Sequence, residues 1–410
     1  MKIAVWHNLP SGGGKRALHD QVRGLLARGH TIEVWCPETS DSRYLPLSEL
    51  VPEHRLPLPQ PKSSSLLPRP FRINITERLA SLRAIEVHAR EAAAQIERGE
   101  FDLALIHPCL RTFAPYIGRF LSIPKVLYLQ EPNRPLYEAH PRLHWVAPES
   151  GSVVRTLLDL AYLQVRRVEA REEATNVHAY DKVLSNSYFS RESLLRSYGV
   201  ESDVCYLGVN TERLPLADTP REPFAIGLGA FTKEKGLDFV IESLGKVSAS
   251  IRPRLIWVGN SAWGSSYKEE MLKLAQERGV VFEPREGISD AELTGLLQKA
   301  SVMVYASRLE PFGYAPLEAA CCGTPVVAVQ EGGMRESLVD GVTGLVVPRT
   351  HEAVAGAVAS LLSNPERARS LGCTAASYVR QHWSLEAATD RLEAALARVS
   401  PAGHTPPLAS

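Results

Sequence analysis

The sequence lacks the features that mark several large classes of protein. No apolar run approaches the roughly 18 residues that a helix needs to cross a bilayer. No charged leader with an apolar core precedes the strand that begins at Lys2, so no secretory signal is expected. The formal net charge at pH 7 is +0, because 46 Lys and Arg balance 46 Asp and Glu. These absences predict a cytoplasmic protein with no overall attraction to nucleic acid.

Cysteine is scarce and scattered. Six cysteines occur at positions 36, 109, 205, 321, 322 and 373, without CxxC or Cys/His ligand spacing. We expect reduced thiols, with Cys321 and Cys322 as small buried residues of a helix and not as a redox pair. No Asp-x-Asp motif is visible in a suitable loop, so we predict no metal site.

Short β-branched runs alternate with helical patterns along most of the 410 residues. A chain of this length is expected to form two or three domains, and the alternation predicts doubly wound parallel sheets of the α/β class. The polar, proline-containing stretch at 209–223 predicts a linker. We therefore predict an N-terminal domain over 1–208, a C-terminal domain over 224–384 and a disordered tail over 400–410.

The first predicted strand, at 3–6, leads into three successive glycines and then into a helical pattern. Gly13 and Gly14 would let the backbone approach a substrate where any Cβ would clash, and a plain flexible turn is the alternative. The spacing departs from the dinucleotide motif GxGxxG, so NAD is not the expected ligand.

Residues 38–70 are rich in Pro, Ser and Leu without a clear period, which predicts a long irregular segment. Basic residues continue through 62–78, with Leu66, Leu67 and Phe71 between them. This mixture suits an anionic membrane surface. Residues 62–78 are therefore a candidate peripheral membrane contact, and a solvated loop is the alternative.

Two further predicted strands, 102–107 and 125–129, end in polar residues. His107 ends the first, whereas Gln130 and Arg134 follow the second. Ligands of parallel α/β sheets gather at the carboxyl ends of strands, so these residues are candidates to line a binding cleft. The alternative for His107 is a hydrogen-bonded histidine without a catalytic role.

The most informative stretch is 307–325, which reads SRLEPFGYAPLEAACCGTP. Its two carboxylates, Glu310 and Glu318, lie eight residues apart. The apolar run at 302–306 predicts a buried strand before them, and 317–322 predicts a helix. Glu310 is thereby placed on a strand-to-helix loop and Glu318 inside the helix. The alternatives are that Glu310 caps a loop amide and that Glu318 is an exposed helix residue.

Pro316 suits a first helical turn, because its missing N–H is not needed there. The amides of Gly313, Tyr314 and Ala315 would then lie near a helix N-terminus. Unpaired amides and the helix dipole favour anions at such a position. The stretch therefore predicts an anion site between the two carboxylates.

Several motifs follow one another in this half of the chain: Glu310-Pro-Phe-Gly, Pro316-Leu-Glu-Ala, Gly323-Thr-Pro-Val-Val, Gly332-Gly-x-x-Glu and Gly341-x-x-Gly. Together they resemble the donor half of the retaining nucleotide-sugar glycosyltransferases of family 4, in the GT-B group. The resemblance covers nearly the whole chain. It implies two Rossmann-like domains facing a central cleft, with the acceptor on the N-terminal side and the helix at 385–399 packed back on that side.

The resemblance also assigns roles to residues. Glu310 would be the catalytic residue, holding hydroxyls of the transferred sugar near its anomeric carbon, and Glu318 would receive the ribose hydroxyls. Lys235 matches a lysine that contacts the diphosphate. Other residues would wrap the sugar and diphosphate or border the base: Phe312, Gly313, Tyr314, Ala315, Gly259 and Arg285.

Two positions depart from the family pattern. Ala230 stands where an arginine is usual, and Gln130 where a histidine is usual. Loss of a bidentate donor could cost on the order of 1 to 3 kcal/mol. We expect Lys233, or a cation of the first domain such as Lys15, Arg16 or Arg134, to compensate.

The implied reaction moves a hexosyl-type sugar from a nucleoside diphosphate sugar to a hydroxyl of a glycan, lipid-linked or small-molecule acceptor. Retention of configuration is implied by the resemblance, and neither a metal nor pyridoxal phosphate is expected. The implied location is cytoplasmic, with peripheral contact at the inner face of a membrane. The rivals are a sugar-nucleotide epimerase of the same fold and a nucleotide-sugar-binding subunit without turnover.

Overall fold

The strands form two separate sheets. Within each sheet, all neighbouring strands of the described residues pair in parallel. The computed structural model describes residues 1–59, 75–138, 153–217, 219–260 and 266–399. The chain divides into two units. Unit 1 comprises Met1–Tyr206 and Thr389–Ser410, and unit 2 comprises Leu207–Ala388.

Unit 1 contains a seven-stranded sheet in the order β3-β2-β1-β4-β5-β6-β7. The strands are β1 Lys2–Asn8, β2 Thr31–Pro37, β3 Glu53–Leu56, β4 Leu103–Cys109, β5 Lys125–Tyr128, β6 Lys182–Ser185 and β7 Asp203–Val204. The connecting helices are α1 Gly13–Ala27, α2 Ile75–Ile96, α3 Arg134–Tyr137, α4 Val153–Val177 and α5 Tyr188–Tyr198. Central strands of a parallel sheet are buried on both faces, which is why β1 and β4 are nearly continuous apolar runs.

Unit 2 contains a six-stranded sheet in the order β10-β9-β8-β11-β12-β13. Its strands are β8 Glu222–Leu228, β9 Arg254–Val258, β10 Phe282–Arg285, β11 Ala300–Tyr305, β12 Val326–Val329 and β13 Leu345–Val347. Its helices are α6 Leu237–Gly245, α7 Tyr267–Glu277, α8 Asp290–Lys299, α9 Tyr314–Cys321, α10 His351–Leu362 and α11 Pro365–His382. The strand order changes direction between β8 and β11. In sheets of this kind, ligands bind at the carboxyl ends of the strands at such a switch point.

The last helix, α12 Leu385–Ala397, begins in unit 2 and ends in unit 1. Within unit 1, His30 Nε2 lies 2.8 Å from Glu393 Oε1. Arg28 forms an ion pair with Asp390. Leu392 and Leu396 are buried. The end of α12 is therefore an integral part of unit 1.

The α/β class predicted from the sequence is confirmed, but several element boundaries were wrong. The segment at 38–70 is not wholly irregular, because β3 pairs with β2 at the sheet edge. Gly13 and Gly14 lie in the first turn of α1 and not in a loop. α9 begins at Tyr314, three residues before the predicted start. The strand β7 is only two residues long. The tail at 400–410 lies outside the described residues.

Candidate functional site

An ion pair marks the carboxyl edge of the unit 2 sheet. Lys235 Nζ donates to Glu310 Oε2 at 2.6 Å, and the Ser307 hydroxyl donates to the same oxygen at 2.6 Å. The two charged side chains are only partly exposed, at 30% and 23%. Tyr305 lies beside them, and burial raises its pKa well above the usual range, so its hydroxyl stays protonated. The Lys235 ammonium and the Ser307 hydroxyl thus both hold the carboxylate of Glu310.

The backbone around Glu310 is tightly constrained. Leu309 has φ 46°, which an L-residue with a bulky side chain rarely adopts. The Glu310 carbonyl accepts from Gly333 N at 2.8 Å. A Cβ at Gly332 would lie 2.4 Å from that carbonyl oxygen, so only glycine fits. This close crossing explains why the Gly332-Gly333 motif accompanies Glu310-Pro-Phe-Gly.

Arg349, which follows β13, forms hydrogen bonds with the backbone of the same loop. Its Nη2 donates to the carbonyls of Ala306 at 2.7 Å and Ser307 at 3.3 Å, and its Nε donates to Glu331 at 2.6 Å. Its guanidinium also lies 5.0 Å from the centre of the Phe239 ring. Because Ser307 binds the carboxylate of Glu310, Arg349 positions that carboxylate without touching it.

Replacing Arg349 with methionine should therefore reduce turnover about tenfold or more, with nucleotide affinity nearly unchanged. The variant keeps most of the buried side-chain volume but loses the bonds to two carbonyls. The measurement is kcat and KM for sugar transfer. The matched control is Arg254→Met, which removes an arginine paired with Glu222 and Glu283 at the other edge of the sheet. An equal loss in both variants would contradict a positioning role.

The second carboxylate, Glu318, lies in the middle of α9 and is only 5% exposed. This burial excludes the alternative of an exposed helix residue. Gly313 precedes α9 as its N-cap with φ 92°, no side chain caps the helix, and Tyr314 and Ala315 occupy the first turn. The amides at this helix start therefore follow Glu310 by three to five residues in the chain.

Phe312 is also buried, at 4% exposure. Its ring packs 5.7 Å from the Trp383 ring and 5.3 Å from the Tyr314 ring. Its side chain therefore supports the loop from inside unit 2. The predicted role of Phe312 in wrapping the sugar remains a prediction.

The glycine loops after β8 and β9 cross in close contact. A Cβ at Gly259 would lie 1.9 Å from the Gly229 carbonyl oxygen, and that oxygen accepts from Trp257 Nε1 at 2.7 Å. Ala230 follows directly, so this backbone is fixed where the family pattern has an arginine. The contact keeps the start of the Lys235 loop against the sheet.

The remaining donor-side candidates are spread around this edge. Lys233 is exposed in the same 3-10 turn as Lys235. Arg285 ends β10, is exposed, and pairs with Glu283 on its own strand. Neither is brought to Glu310 by a contact given in the structure, so their predicted roles remain predictions.

In unit 1, the glycine-rich segment meets the end of β5. A Cβ at Gly14 would lie 3.3 Å from Leu9 and 3.8 Å from Gln130 Nε2. The Gln130 Nε2 is buried and has no hydrogen-bond partner among the described residues. Gly14 and Gln130 are therefore neighbours, and the amide of Gln130 is available to a ligand. Gly13 lies in the first turn of the adjacent helix.

His107 contradicts the prediction of a hydrogen-bonded strand-end histidine. It is fully buried within β4, and neither ring nitrogen has a partner in the described part of the chain. Its ring stacks on Tyr128 at 5.5 Å. Burial, followed by the charge of Lys15, lowers its pKa to about 3. His107 is therefore neutral at physiological pH and contributes packing.

A second buried polar group lies beside it. Lys15 Nζ lies 3.4 Å from His7 Nε2, and burial lowers the pKa of both residues. Among the described residues, His7, Cys36 and Glu53 form the one cluster of three potential metal ligands. The Cys36 thiol donates to Glu53 at 3.1 Å, and burial raises its pKa to about 12.

Arg134 begins α3 and pairs with Glu138 at 2.6 Å. Nearby, Glu173 of α4 joins the segments that follow β4 and β5. Its carboxyl accepts from Ala114 N and Asn133 Nδ2, both at 3.0 Å, and from Tyr198 OH at 3.4 Å. Glu173 is 1% exposed, and burial raises its pKa to about 7.

The raised pKa of Glu173 makes unit 1 less stable at high pH. The protonated form is favoured by the fold, so its contribution is present below the ordinary pKa of 4.5 and is lost as pH rises through about 7. The loss is on the order of 3 kcal/mol. Glu173→Gln, which stays neutral, should remove most of this dependence in chemical unfolding at pH 5, 6.5 and 8. Glu192→Gln, at a side chain 70% exposed, should leave it unchanged.

Sequence reasoning missed two residues of the unit 2 site, Ser307 and Arg349. Ser307 begins the stretch 307–325 but was given no role, and Arg349 belongs to no motif with a recognisable spacing. Ser307 is recognised only by its bond to Glu310, and Arg349 only by its bonds to carbonyls more than 40 residues earlier.

No helix in the described ranges is long and apolar enough to cross a membrane.

The five buried cysteines and the exposed Cys373 are all free thiols. Burial raises the pKa of Cys321 and of Cys322 to about 12. The expectation of small buried thiols at the end of α9 is confirmed.

Two family models match adjoining parts of the chain. The family described as "Glycosyltransferase Family 4" matches residues 11–213, and "Glycosyl transferases group 1" matches residues 210–377. The first spans unit 1 from α1 to β7, and the second contains the whole Lys235–Glu310–Glu318 site. Nearly all of both units is therefore matched.

Curated relatives are similar over about half of the chain. The alpha-maltose-1-phosphate synthase of Mycolicibacterium smegmatis is 30% identical over 243 residues, covering 50% of this chain and 60% of the relative. The D-inositol 3-phosphate glycosyltransferase of Acidothermus cellulolyticus is 31% identical over 236 residues, covering 52% of each. The chain thus matches little more than half the length of these relatives.

Solved structures show the same fold over the whole chain. The sucrose-phosphate synthase of Thermosynechococcus elongatus has a TM-score of 0.72 at 19% identity and covers 97% of this chain and 99% of that one. The Anabaena protein HepE, solved in complex with UDP, has a TM-score of 0.71 at 17% identity, with 97% and 100% covered. At these identities the likeness concerns the fold.

Proposed function

The chain belongs to the family 4 glycosyltransferases of the GT-B fold, and we propose that it transfers a hexosyl-type sugar from a nucleoside diphosphate sugar to a hydroxyl acceptor with retention of configuration. The observation that carries this proposal is the Lys235–Glu310 pair at 2.6 Å, beside the start of α9. A cation, the amides of a helix N-terminus and a carboxylate are the groups that a diphosphate and a sugar require.

Each group has a task in the proposed reaction. The bond between the anomeric carbon and the diphosphate oxygen breaks, and a bond from the acceptor oxygen to the same face of that carbon forms. The acceptor proton passes to the departing phosphate. Lys235 and the amides at the start of α9 balance the charge that develops on the diphosphate. Glu310 holds the sugar hydroxyls, and Glu318 receives the ribose hydroxyls.

We further propose that the reaction needs no metal. Lys235 and the helix amides supply positive charge at the position where a divalent cation would otherwise act. The one cluster of three potential metal ligands among the described residues belongs to unit 1. A requirement for added magnesium or manganese in the transfer reaction would refute this part of the proposal.

The test of the proposed donor is a thermal-shift panel of UDP, GDP, ADP and dTDP and their common sugars, with and without EDTA. A nucleotide at about 100 times its Kd should stabilise the protein by roughly 2.7 kcal/mol. We expect one nucleotide family to produce the shift, EDTA to leave it unchanged, and Glu318→Ala to reduce it. No shift with any nucleotide would contradict donor binding. A shift without transfer or hydrolysis would indicate a binding subunit.

We also propose a cytoplasmic location with peripheral contact to an anionic membrane through residues 62–78. Most of this segment lies outside the described residues, and Arg78 is paired with Glu169. Support comes from Leu157 and Leu160 on α4, which are 60% and 52% exposed. Phosphatidylglycerol vesicles should sediment the protein and neutral vesicles should not. The triple variant Lys62→Ala, Arg69→Ala, Arg72→Ala should stay in the supernatant; sedimentation equal to the parent would refute the contact.

A further inference from the structure

Unit 1 contains a cavity of about 320 Å³ at the carboxyl edge of its sheet. Its walls come from α2, from the segments that follow β4 and β5, and from α4. The residues that line it are Arg78, Leu82, Leu110, Arg111, Thr112, Phe113, Asn133, Pro135, Tyr162, Arg166, Glu169 and Glu173. This volume lies at the lower end of the range for small-molecule sites, and it suits one sugar ring with a substituent.

One wall of the cavity carries excess positive charge. Arg78 Nε and Arg166 Nη1 both bind Glu169, at 2.7 and 2.9 Å. The two guanidinium groups also lie over the Tyr162 ring, at 5.7 and 5.9 Å from its centre. A single carboxylate, that of Glu169, therefore pairs with two cations. An oxyanion would be attracted to this wall.

The lining of the same cavity also offers polar groups suited to hydroxyls. Thr112 is 2% exposed, and its hydroxyl has no hydrogen-bond partner among the described residues. Glu173 and Asn133 are bonded to each other and lie next to it in the lining. A buried hydroxyl without a partner carries an energetic cost unless a ligand or water binds it. Tyr162 and Phe113 add aromatic faces to the same cavity.

We propose that this cavity binds the acceptor of the transferase as a single sugar or polyol ring that carries an oxyanion, either a phosphate monoester or a carboxylate. The arginine wall receives the oxyanion, and Thr112, Asn133 and Glu173 receive ring hydroxyls. The identification of the ligand as an acceptor rests on the function proposed above. The binding chemistry rests on the cavity alone.

The experiment is calorimetric titration of the full chain, without nucleotide, against glucose 6-phosphate, glucuronate, glucose and inorganic phosphate. At least one of the two anionic sugars should bind about tenfold more tightly than glucose and than inorganic phosphate. Comparison of glucose 6-phosphate with glucuronate shows whether the site prefers a phosphate or a carboxylate. Glucose binding as tightly as both anionic sugars would overturn the proposal. Inorganic phosphate binding as tightly as glucose 6-phosphate would reduce the site to a bare anion site and overturn it as well.

Two variants of lining residues test whether the binding occurs in this cavity. Arg166→Gln should weaken the anionic sugar about tenfold or more. Thr112→Val should weaken it too, because it removes a buried hydroxyl of the lining. The control is Arg171→Gln on the same helix, where the side chain is 70% exposed. Binding unchanged in both cavity variants would refute the assignment.

The titration also separates this inference from the proposed donor reaction. Nucleotide thermal shifts in the Arg166→Gln and Thr112→Val variants should equal those of the parent protein. If no nucleotide stabilises the parent but the anionic sugar binds, the donor proposal fails and the cavity stands as a binding site. If nucleotides bind and neither anionic sugar does, only the cavity inference fails.

Discussion

Replacing Glu310 with glutamine is expected to lower the rate of sugar transfer by about two to three orders of magnitude. The substitution keeps the shape of the side chain and an oxygen that can accept from Ser307, but removes the charge that holds the sugar hydroxyls. Nucleotide diphosphate should bind as well as before or more tightly. The reason is the 2.6 Å ion pair: Lys235 no longer has a carboxylate that competes with the phosphate for its ammonium group.

The measurement is a pair of values, the initial rate of transfer and the Kd of the free nucleotide diphosphate. Glu352→Gln is the matched control, because that glutamate is in α10, pairs with Lys246 and is 71% exposed. Its rate and Kd should match those of the parent. Full activity of Glu310→Gln, or an equal loss of rate and nucleotide affinity, would remove Glu310 from its proposed role.

Replacing Lys235 with alanine should weaken nucleotide binding about 10- to 100-fold and reduce turnover in addition. Lys235 contacts the diphosphate in both the ground state and the transition state of the proposed reaction. Its removal also leaves the partly buried Glu310 carboxylate without its cation, so a negative charge would face the incoming phosphates. Charge repulsion then adds to the lost hydrogen bond.

Nucleotide Kd and kcat/KM, both measured at two salt concentrations, check this prediction. The salt dependence of binding should become smaller, because one positive charge at the phosphate is gone. Lys246→Ala, at a side chain 49% exposed, serves as the control. Unchanged nucleotide affinity in Lys235→Ala would mean that another cation binds the diphosphate.

The fold class could be predicted from the sequence because the central strands are buried on both faces and so are written as apolar runs. β11 and β12 are examples. The strand β3 could not be predicted in the same way. Its residues, Glu-His-Arg-Leu, lie at the sheet edge, where only one side is paired and polar side chains remain partly exposed. Its strand conformation is imposed by pairing with β2.

The candidate site was predictable only where its residues are close in the sequence. Glu310 and Glu318 flank one loop, so their motif could be recognised directly. The partners of Glu310 were harder to find, since Lys235 is 75 residues away and was identified only by resemblance. Arg349 had no signal at all. In the loop before Glu310, its hydrogen-bond acceptors are backbone carbonyls, and every residue has a carbonyl whatever its side chain.

The path of the chain through the two units also sets an order of synthesis. The amino-terminal part of unit 1 ends at Tyr206, and its last segment begins only at Thr389. Translation proceeds from the amino terminus, so all of unit 2 emerges from the ribosome before Glu393 is available to pair with His30. Unit 1, which is begun first, is therefore completed last. A nascent chain can carry all of unit 2 while unit 1 still lacks its final helix.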